Sequence, residues 1–315
     1  MPYEHVSVLL GDPDRDVLGL LKPVPGEVVL DATLGLGGHS EAFLQAVAPE
    51  GALYGIDADS ENLERAEKRL KPLPGTKKFV HGNFRDVAGL GLPTFDIIFA
   101  DLGLSSPHID DPKRGFTYRA EAPLDLRFDQ TKGETAAEFL ESAKEEDIAQ
   151  VLREYGEVKD AGRLGARLSE KAKQSGIRTT TDVRSVIDEA LGYKAPKVLP
   201  QIFQALRMHV NGELDALKQF LSVAPWILNP GGRLGIISYH SLEDRMVKQT
   251  FRALTTPTKD PEHGTIAMEA DFELLTKKPV RPSATEVKRN PRARSALFRV
   301  IRRRSSFLLH SPSRA

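Results

Sequence analysis

Three aspartates in the first third of the chain occupy the same kind of place. Asp31, Asp57 and Asp101 each end a short apolar run, namely Val28 to Leu30, Ala52 to Ile56 and Phe95 to Ala100. Just after the first comes Leu34-Gly35-Leu36-Gly37-Gly38-His39-Ser40. Glycines permit backbone angles that side chains forbid and let the main chain approach a ligand closely, while amides exposed at a helix start favour an anionic group such as a carboxylate. Asp57 lies 19 residues beyond Gly38, a spacing that suits a carboxylate accepting hydrogen bonds from ribose hydroxyls. Loop and acid together describe a site for an adenosine-bearing ligand. A dinucleotide fingerprint would place glycines at 35, 37 and 40. Position 40 is Ser and the third glycine falls at 38, so NAD is the weaker reading. A glycine-rich turn alone can be only a tight turn, and Asp57 at the matching distance is what favours the nucleotide.

The elements that must position these residues follow from the apolar pattern. The three runs, with a fourth at Lys78 to His81, alternate with helix-like segments at Ser40 to Val47 and Ser60 to Leu70, for which Ser60 is the expected N-cap. This is the pattern of βαβ units in a parallel sheet, and ligands of such sheets bind outside the carboxyl ends of the strands. The next strand is Gly235 to Tyr239, after the turn signal Asn229-Pro230-Gly231-Gly232. About 130 residues separate it from the fourth, against roughly a dozen for a crossover, so most of that interval must be a separate unit. Thr135 to Leu191 is charged, helix-prone and free of Pro. An amphipathic pattern from Glu213 to Leu228 returns the chain to the sheet, and Thr255 to Gly264 reads as a polar loop. The expected architecture is α/β: a Rossmann-like core over 1–110 and 210–303, mostly parallel with helices on both faces, an inserted all-helical domain over 111–209, and a flexible tail over 304–315.

Composition narrows the chemistry. With 315 residues, 40% of them hydrophobic and 28% charged, the chain can bury a core and has room for two units. Lys plus Arg and Asp plus Glu both number 44, so any polyanion site must be local. No apolar run approaches a membrane span and no signal-like N-terminus is present, which predicts a cytoplasmic protein with no membrane partner. The absence of cysteine excludes disulfides, Cys-ligated zinc, iron-sulfur clusters and a catalytic thiolate. From Lys277 to Arg304 there are 11 Lys or Arg residues and one acid, Glu286. Such a belt suits phosphate contact, though a charge run is more often a solvated face. Arg163, Arg167, Lys171 and Lys173 recur at helical spacing and form a possible second stripe.

An acid at 31 with glycines at 35 and 37 resembles the first motif of Rossmann-like methyltransferases, with Thr33 where another Gly is usual. More specific segments follow: Asp101-Leu102-Gly103-Leu104-Ser105-Ser106-Pro107-His108, Arg114-Gly115-Phe116-Thr117-Tyr118 and Pro123-Leu124-Asp125-Leu126-Arg127. These resemble the ribosomal RNA small subunit methyltransferase H family, also called MraW, in which DLGxSSPQ, RGFSF and PLDMRMD stand in this order. Further matches are Glu4-His5, Tyr155-Gly156-Glu157, Phe203 to Arg207, Val210 to Leu214, Ser238 to Arg245 and Asn290 to Ser295. The resemblance implies a class I methyltransferase core, S-adenosyl-L-methionine as cofactor, and transfer to N4 of a decoding-centre cytidine in 16S ribosomal RNA of the small ribosomal subunit. It places the cofactor contacts on Gly37, Gly38, His39, Asp57, Phe84, Asp101 and His108. His108 departs from the family's Gln. Leu126 and Phe128 replace two Met residues, and Leu199 to Ile202 lacks the Arg usual there.

The remaining groups have competing readings. Phe84 can pack on adenine or simply fill the core. His240 can accept a proton, contact a base or serve structurally. Ser105 and Ser106 resemble the polar loop of amino-methyltransferases that accepts hydrogen bonds from the target amine, but Ser-Ser-Pro is also a common turn. Ser105, Ser106 and His240 are therefore the catalytic candidates, with no metal required. Carbon-5 methylation of a pyrimidine ordinarily needs a cysteine thiolate and radical methylation needs a cysteine-held cluster, so displacement by an oxygen or nitrogen nucleophile remains, an exocyclic amine foremost. Methylation of a protein or small molecule, and a non-catalytic role in ribosome assembly, are the alternatives. A homodimer is left open.

Overall fold

A computed structural model describes residues 7–11, 15–261, 263 and 265–305. The Glu4-His5 match and residues 306–315 of the expected tail lie outside the described residues. Within its final stretch, Arg304 N–H donates to Asp271 O at 2.8 Å.

The chain divides into two compact units, one built from residues up to Gly103 and from Ala216 onward, the other from Leu104 to Asp215. The first holds a seven-stranded sheet. Its strands are β1 (Val28–Asp31), β2 (Ala52–Asp57), β3 (Thr76–His81), β4 (Phe95–Asp101), β5 (Leu228–Ser238), β8 (Phe272–Leu274) and β9 (Leu297–Arg303). A separate small pair is formed by β6 (Thr258–Lys259) and β7 (Ile266–Met268). The order is β3-β2-β1-β4-β5-β9-β8. Strands β1 to β5 pair parallel, and β9 runs antiparallel to both neighbours. Chain order reverses between β1 and β4, the switch point where open α/β sheets bind ligands.

Strict alternation explains why these runs are buried strands. Val29, Ile97, Phe99, Ile237, Phe298 and Val300 face one layer of core, with Phe43, Leu44 and Leu70 from the helices Gly38–Val47 and Ser60–Leu70. Leu30, Ile98, Ala100, Leu234, Ile236 and Ile301 face the other, with Phe220 and Phe251 from the helices Glu213–Val223 and Ser241–Thr255. Successive side chains of a strand point to opposite faces, so each run feeds two cores. The result is the α/β, Rossmann-like arrangement with helices on both faces.

Three local expectations need correction. The N-cap of the second helix is Asp59, whose Oδ1 accepts from Glu61 N at 2.8 Å, and Ser60 is the first helical residue. A carboxylate at that position takes the free helix-start amides ahead of the next hydroxyl. Strand β5 begins at Leu228 rather than Gly235, because Asn229 to Gly232 forms a bulge: Phe95 pairs with Leu228 and Ile97 with Arg233. The Thr255 to Gly264 loop contains β6, which pairs with β7 beyond it.

The second unit is helical: Ser106–Asp110, Ala136–Ser142, Glu145–Glu154, Ala161–Ser175, Thr180–Leu191 and Ala195–Asn211. Its core gathers Phe139, Ile148, Leu152, Leu164, Leu168, Ile187, Ile202 and Leu206, with Phe116, Leu124 and Leu126 from the preceding loops. The boundary falls at Leu104 rather than 111 because Leu104 packs against this core and His108 packs against the mutually stacked Phe116 and Phe128 rings. Among the described residues no helix is long and apolar enough to cross a membrane.

Candidate active site

The glycine loop is shaped by acids before any ligand is considered. Asp31, 1% exposed, accepts from Ser40 Oγ at 2.6 Å and from Thr33 N at 3.2 Å, which ties the strand end to the following helix. Thr33 Oγ1 accepts from Asp101 N at 2.6 Å and so fastens β1 to β4 at the switch point. That bond accounts for Thr where related loops carry Gly. Gly35 and Gly37 have φ of 53° and 76°, left-handed values that glycine adopts at little steric cost. A Cβ on Gly38 would sit 2.0 Å from Ser7 Oγ. A Cβ on Gly35 would meet only Thr33 O, at 3.9 Å, so the outer side of the loop is open.

The carboxylates of Asp57 and Asp101 stand around this loop. Asp57 accepts from Gly35 N at 2.6 Å through Oδ2 and from Asp59 N at 2.8 Å through Oδ1. Two lone-pair positions stay available for ribose hydroxyls. Burial pushes its pKa up to about 7 against the two backbone donors. Asp101, with 24% of its side chain open, is likewise pushed up to about 7 by burial. The hydroxyl of Tyr239 donates to its Oδ1 at 2.8 Å and opposes that rise. Burial raises Asp31 as well, and lifts the Tyr239 phenol well above its usual value. Burial lowers the pKa of His39. Its Nε2 donates to Val8 O at 2.8 Å, leaving Nδ1 bare and 3.7 Å from Asp101 Oδ2, too far for a hydrogen bond. Gly37, Gly38, His39, Asp57 and Asp101 are thus brought together at the strand ends.

Phe84 follows β3 at the start of a short 3-10 turn, half-buried, its ring edge-on to Phe220 at 5.2 Å. The larger part of its surface is committed to the core and a smaller part stays exposed. His240 caps the helix Ser241–Thr255: its Nδ1 accepts from Glu243 N at 3.5 Å, and Nε2 lies 3.0 Å from Glu243 Oε1. Glu243 Oε2 in turn accepts from Tyr239 N at 2.9 Å. The structural role foreseen for His240 is therefore occupied.

In the helical unit, Ser105 and His108 form one capping motif. His108, 4% exposed, accepts from Ser105 N at 3.2 Å through Nδ1, which also lies 3.1 Å from Ser105 Oγ. A Gln three residues past a Ser cap would make the same reciprocal bond, so imidazole replaces the amide here and adds stacking at 5.0 and 5.1 Å on Phe116 and Phe128. Ser106 opens the helix, and its side chain lies outside the described residues. Asn211 lies in the matched Val210 to Leu214 segment, but its type and spacing gave it no role there. Its Nδ2 donates to Leu126 O and its Oδ1 accepts from Phe128 N, both at 2.7 Å, clamping a loop in which Leu126 has φ of 66°. Arg114 adds donors to Arg127 O and Phe128 O at 3.1 and 2.9 Å. Three separate motifs thus meet in one loop. On the helix Ala161–Ser175, Arg163 and Arg167 of the expected stripe pair with Asp160 and Glu170 at 3.2 and 3.5 Å.

The donor set fits one kind of ligand. Three carboxylates whose pKa burial raises favour a positively charged guest, since positive charge stabilises their ionised forms. The amides of Gly38 and His39 at the helix start suit a carboxylate, and Asp57 suits a ribose. A sulfonium nucleoside with an amino-acid tail has all three features. Fold and site define a class I, Rossmann-like methyltransferase. Residues 2–304 match the MraW methylase family, and the chain belongs to it. Its cofactor is S-adenosyl-L-methionine. The chain is 40% identical over 312 residues to the ribosomal RNA small subunit methyltransferase H of Syntrophotalea carbinolica, across 96% of this chain and 98% of that one. It is 43% identical over 307 residues to the protein of the same name from Sorangium cellulosum, across 95% and 91%.

Proposed function

We propose that this chain methylates the N4 amino group of a decoding-centre cytidine in 16S ribosomal RNA, acting in the cytoplasm on the small ribosomal subunit. The observation that carries the reading is the acid-lined glycine loop at the β1/β4 switch point in a chain without cysteine. The RNA substrate is supported by the full-length likeness to ribosomal RNA methyltransferases.

S-Adenosyl-L-methionine supplies a methyl group already activated by its sulfonium. The helix-start amides of Gly38 and His39 would hold the amino-acid tail, with Gly37, whose own amide donates to Leu34 O, shaping the turn; Asp57 would receive the ribose hydroxyls, Phe84 would lie against adenine, and Asp101 would face the positive end. His108 acts by fixing the loop that follows β4. The protein's remaining tasks are to align the amine with the methyl group and to accept its hydrogen bonds as the nitrogen loses ring conjugation. Ser105 and Ser106 are assigned to that second task, and His240, whose ring nitrogens both face Glu243, to orienting the loop after β5.

The test is nucleoside analysis. Small subunits from cells lacking the enzyme are incubated with it and labelled cofactor, digested, and examined by chromatography and mass spectrometry. N4-methylcytidine is expected. 5-Methylcytidine or a 2′-O-methyl nucleoside refutes the assignment, and label only in protein refutes the RNA reading.

A further inference from the structure

The basic belt from Lys277 to Arg304 separates into two sets. In β9 and just past its end, Arg299 pairs with Asp244 at 2.8 Å, Arg302 with Glu273, and Arg304 with Glu269 at 3.9 Å, while Arg303 donates to the carbonyls of Trp226 and Leu228. These cations hold the sheet edge. Lys277, Lys278, Arg281, Lys288, Arg289 and Arg294 are all exposed, and among the described residues no carboxylate pairs with any of them.

The only acid in the stretch is turned away from them. Glu286 Oε1 accepts from Leu9 N at 2.6 Å. The carbonyl of the neighbouring Val8 accepts from His39 Nε2 at 2.8 Å, and the Glu286 charge reaches both His39 and Tyr239. Two links therefore tie the basic segment to the first residues of the cofactor-loop helix.

Its backbone is also anchored, unlike that of a frayed tail. Val280 and Phe298 exchange two hydrogen bonds of 2.9 Å. Ser283 caps the helix Ala284–Arg289, and Asn290 Oδ1 accepts from Arg292 N at 3.2 Å. Ala293 and Ala296 are fully buried in the core that also contains Phe99. Exposed cations on a fixed backbone lose less freedom on meeting phosphates than a loose run does, and six of them without acidic partners sit in a chain whose net charge is zero.

We propose that the segment from Lys277 to Arg294 is the phosphate-docking surface through which this enzyme holds RNA beside its cofactor loop. The proposal rests on the ribosomal RNA reading above. The test combines Lys277→Gln, Arg281→Gln, Lys288→Gln and Arg289→Gln, with small ribosomal subunits from cells lacking the enzyme as substrate. Cofactor affinity by calorimetry and kcat stay at wild-type values. KM for the subunits rises about tenfold or more, and the slope of log affinity against log salt flattens by roughly 0.7 to 0.9 for each phosphate that the variant no longer neutralises. An unchanged KM and salt slope overturn the docking surface while leaving RNA methylation intact, and so does a weakened cofactor affinity that accounts for the whole defect. A wild-type enzyme that transfers no label to subunit RNA overturns the substrate reading itself.

Discussion

The Tyr239 hydroxyl donates a 2.8 Å hydrogen bond to Oδ1 of Asp101, joining the ends of β5 and β4 across 138 positions of sequence. The bond holds down a carboxyl that burial pushes up to about 7. Tyr239→Phe removes the donor, so Asp101 ionises at higher pH. Loss of a hydrogen bond to a charged group costs about 1.5 to 3 kcal/mol, or roughly 10- to 100-fold in affinity. Calorimetry of the variant should show that loss near pH 7 and a smaller one near pH 9, where Asp101 ionises anyway. An equal loss at both values would mean that Tyr239 only fills space.

Cofactor binding to the wild-type protein should release protons near neutral pH. A cationic ligand stabilises ionised Asp57 and Asp101, each near 7 in the free protein, so binding lowers their pKa. Affinity then rises with pH through that range. Calorimetry at neutral pH in two buffers of different ionisation enthalpy measures the protons directly, and identical apparent enthalpies would contradict the linkage.

The same groups set the pH dependence of the free protein's stability. An acid whose folded pKa is about 7, raised from 3.8, binds protons more tightly folded than unfolded. Its contribution is fully present below pH 3.8 and is lost as pH rises through 7. Asp125 and Asp182 of the helical unit are lowered, with burial opposed by their hydrogen bonds, and act in the opposite sense on the acid side. Urea midpoints of the cofactor-free wild type should fall between roughly pH 5 and 8. The double variant Asp57→Asn, Asp101→Asn should show a flatter profile over that interval.

His108→Gln should preserve the helix cap and His108→Ala should not. The Gln carboxamide can still accept from Ser105 N, so its cost is confined to weaker stacking, about 1 kcal/mol. Alanine removes the cap and leaves a cavity beside the stacked Phe116 and Phe128 rings, for about 2 kcal/mol or more. Thermal and urea unfolding rank the two, and equal losses would show that capping contributes nothing.

The sequence by itself determined β1 to β4, the glycine loop and the three terminal aspartates. Short apolar runs and a turn that needs glycine are local properties, readable from neighbours. Family motifs added the cofactor residues. Tertiary structure decided what local pattern cannot carry. Asp101 meets Thr33 across 68 positions and Tyr239 across 138, and both bonds exist only because β1, β4 and β5 lie side by side. The bulge at Asn229 to Gly232 reads as a turn until β4 is present to pair on either side of it. His108 reads as a missing Gln until Ser105, Phe116 and Phe128 surround it. Within the basic belt, sequence cannot separate Arg299 from Arg289. One finds Asp244 across the fold and the other faces solvent, because a charge is neutralised by whichever partner the fold brings within reach.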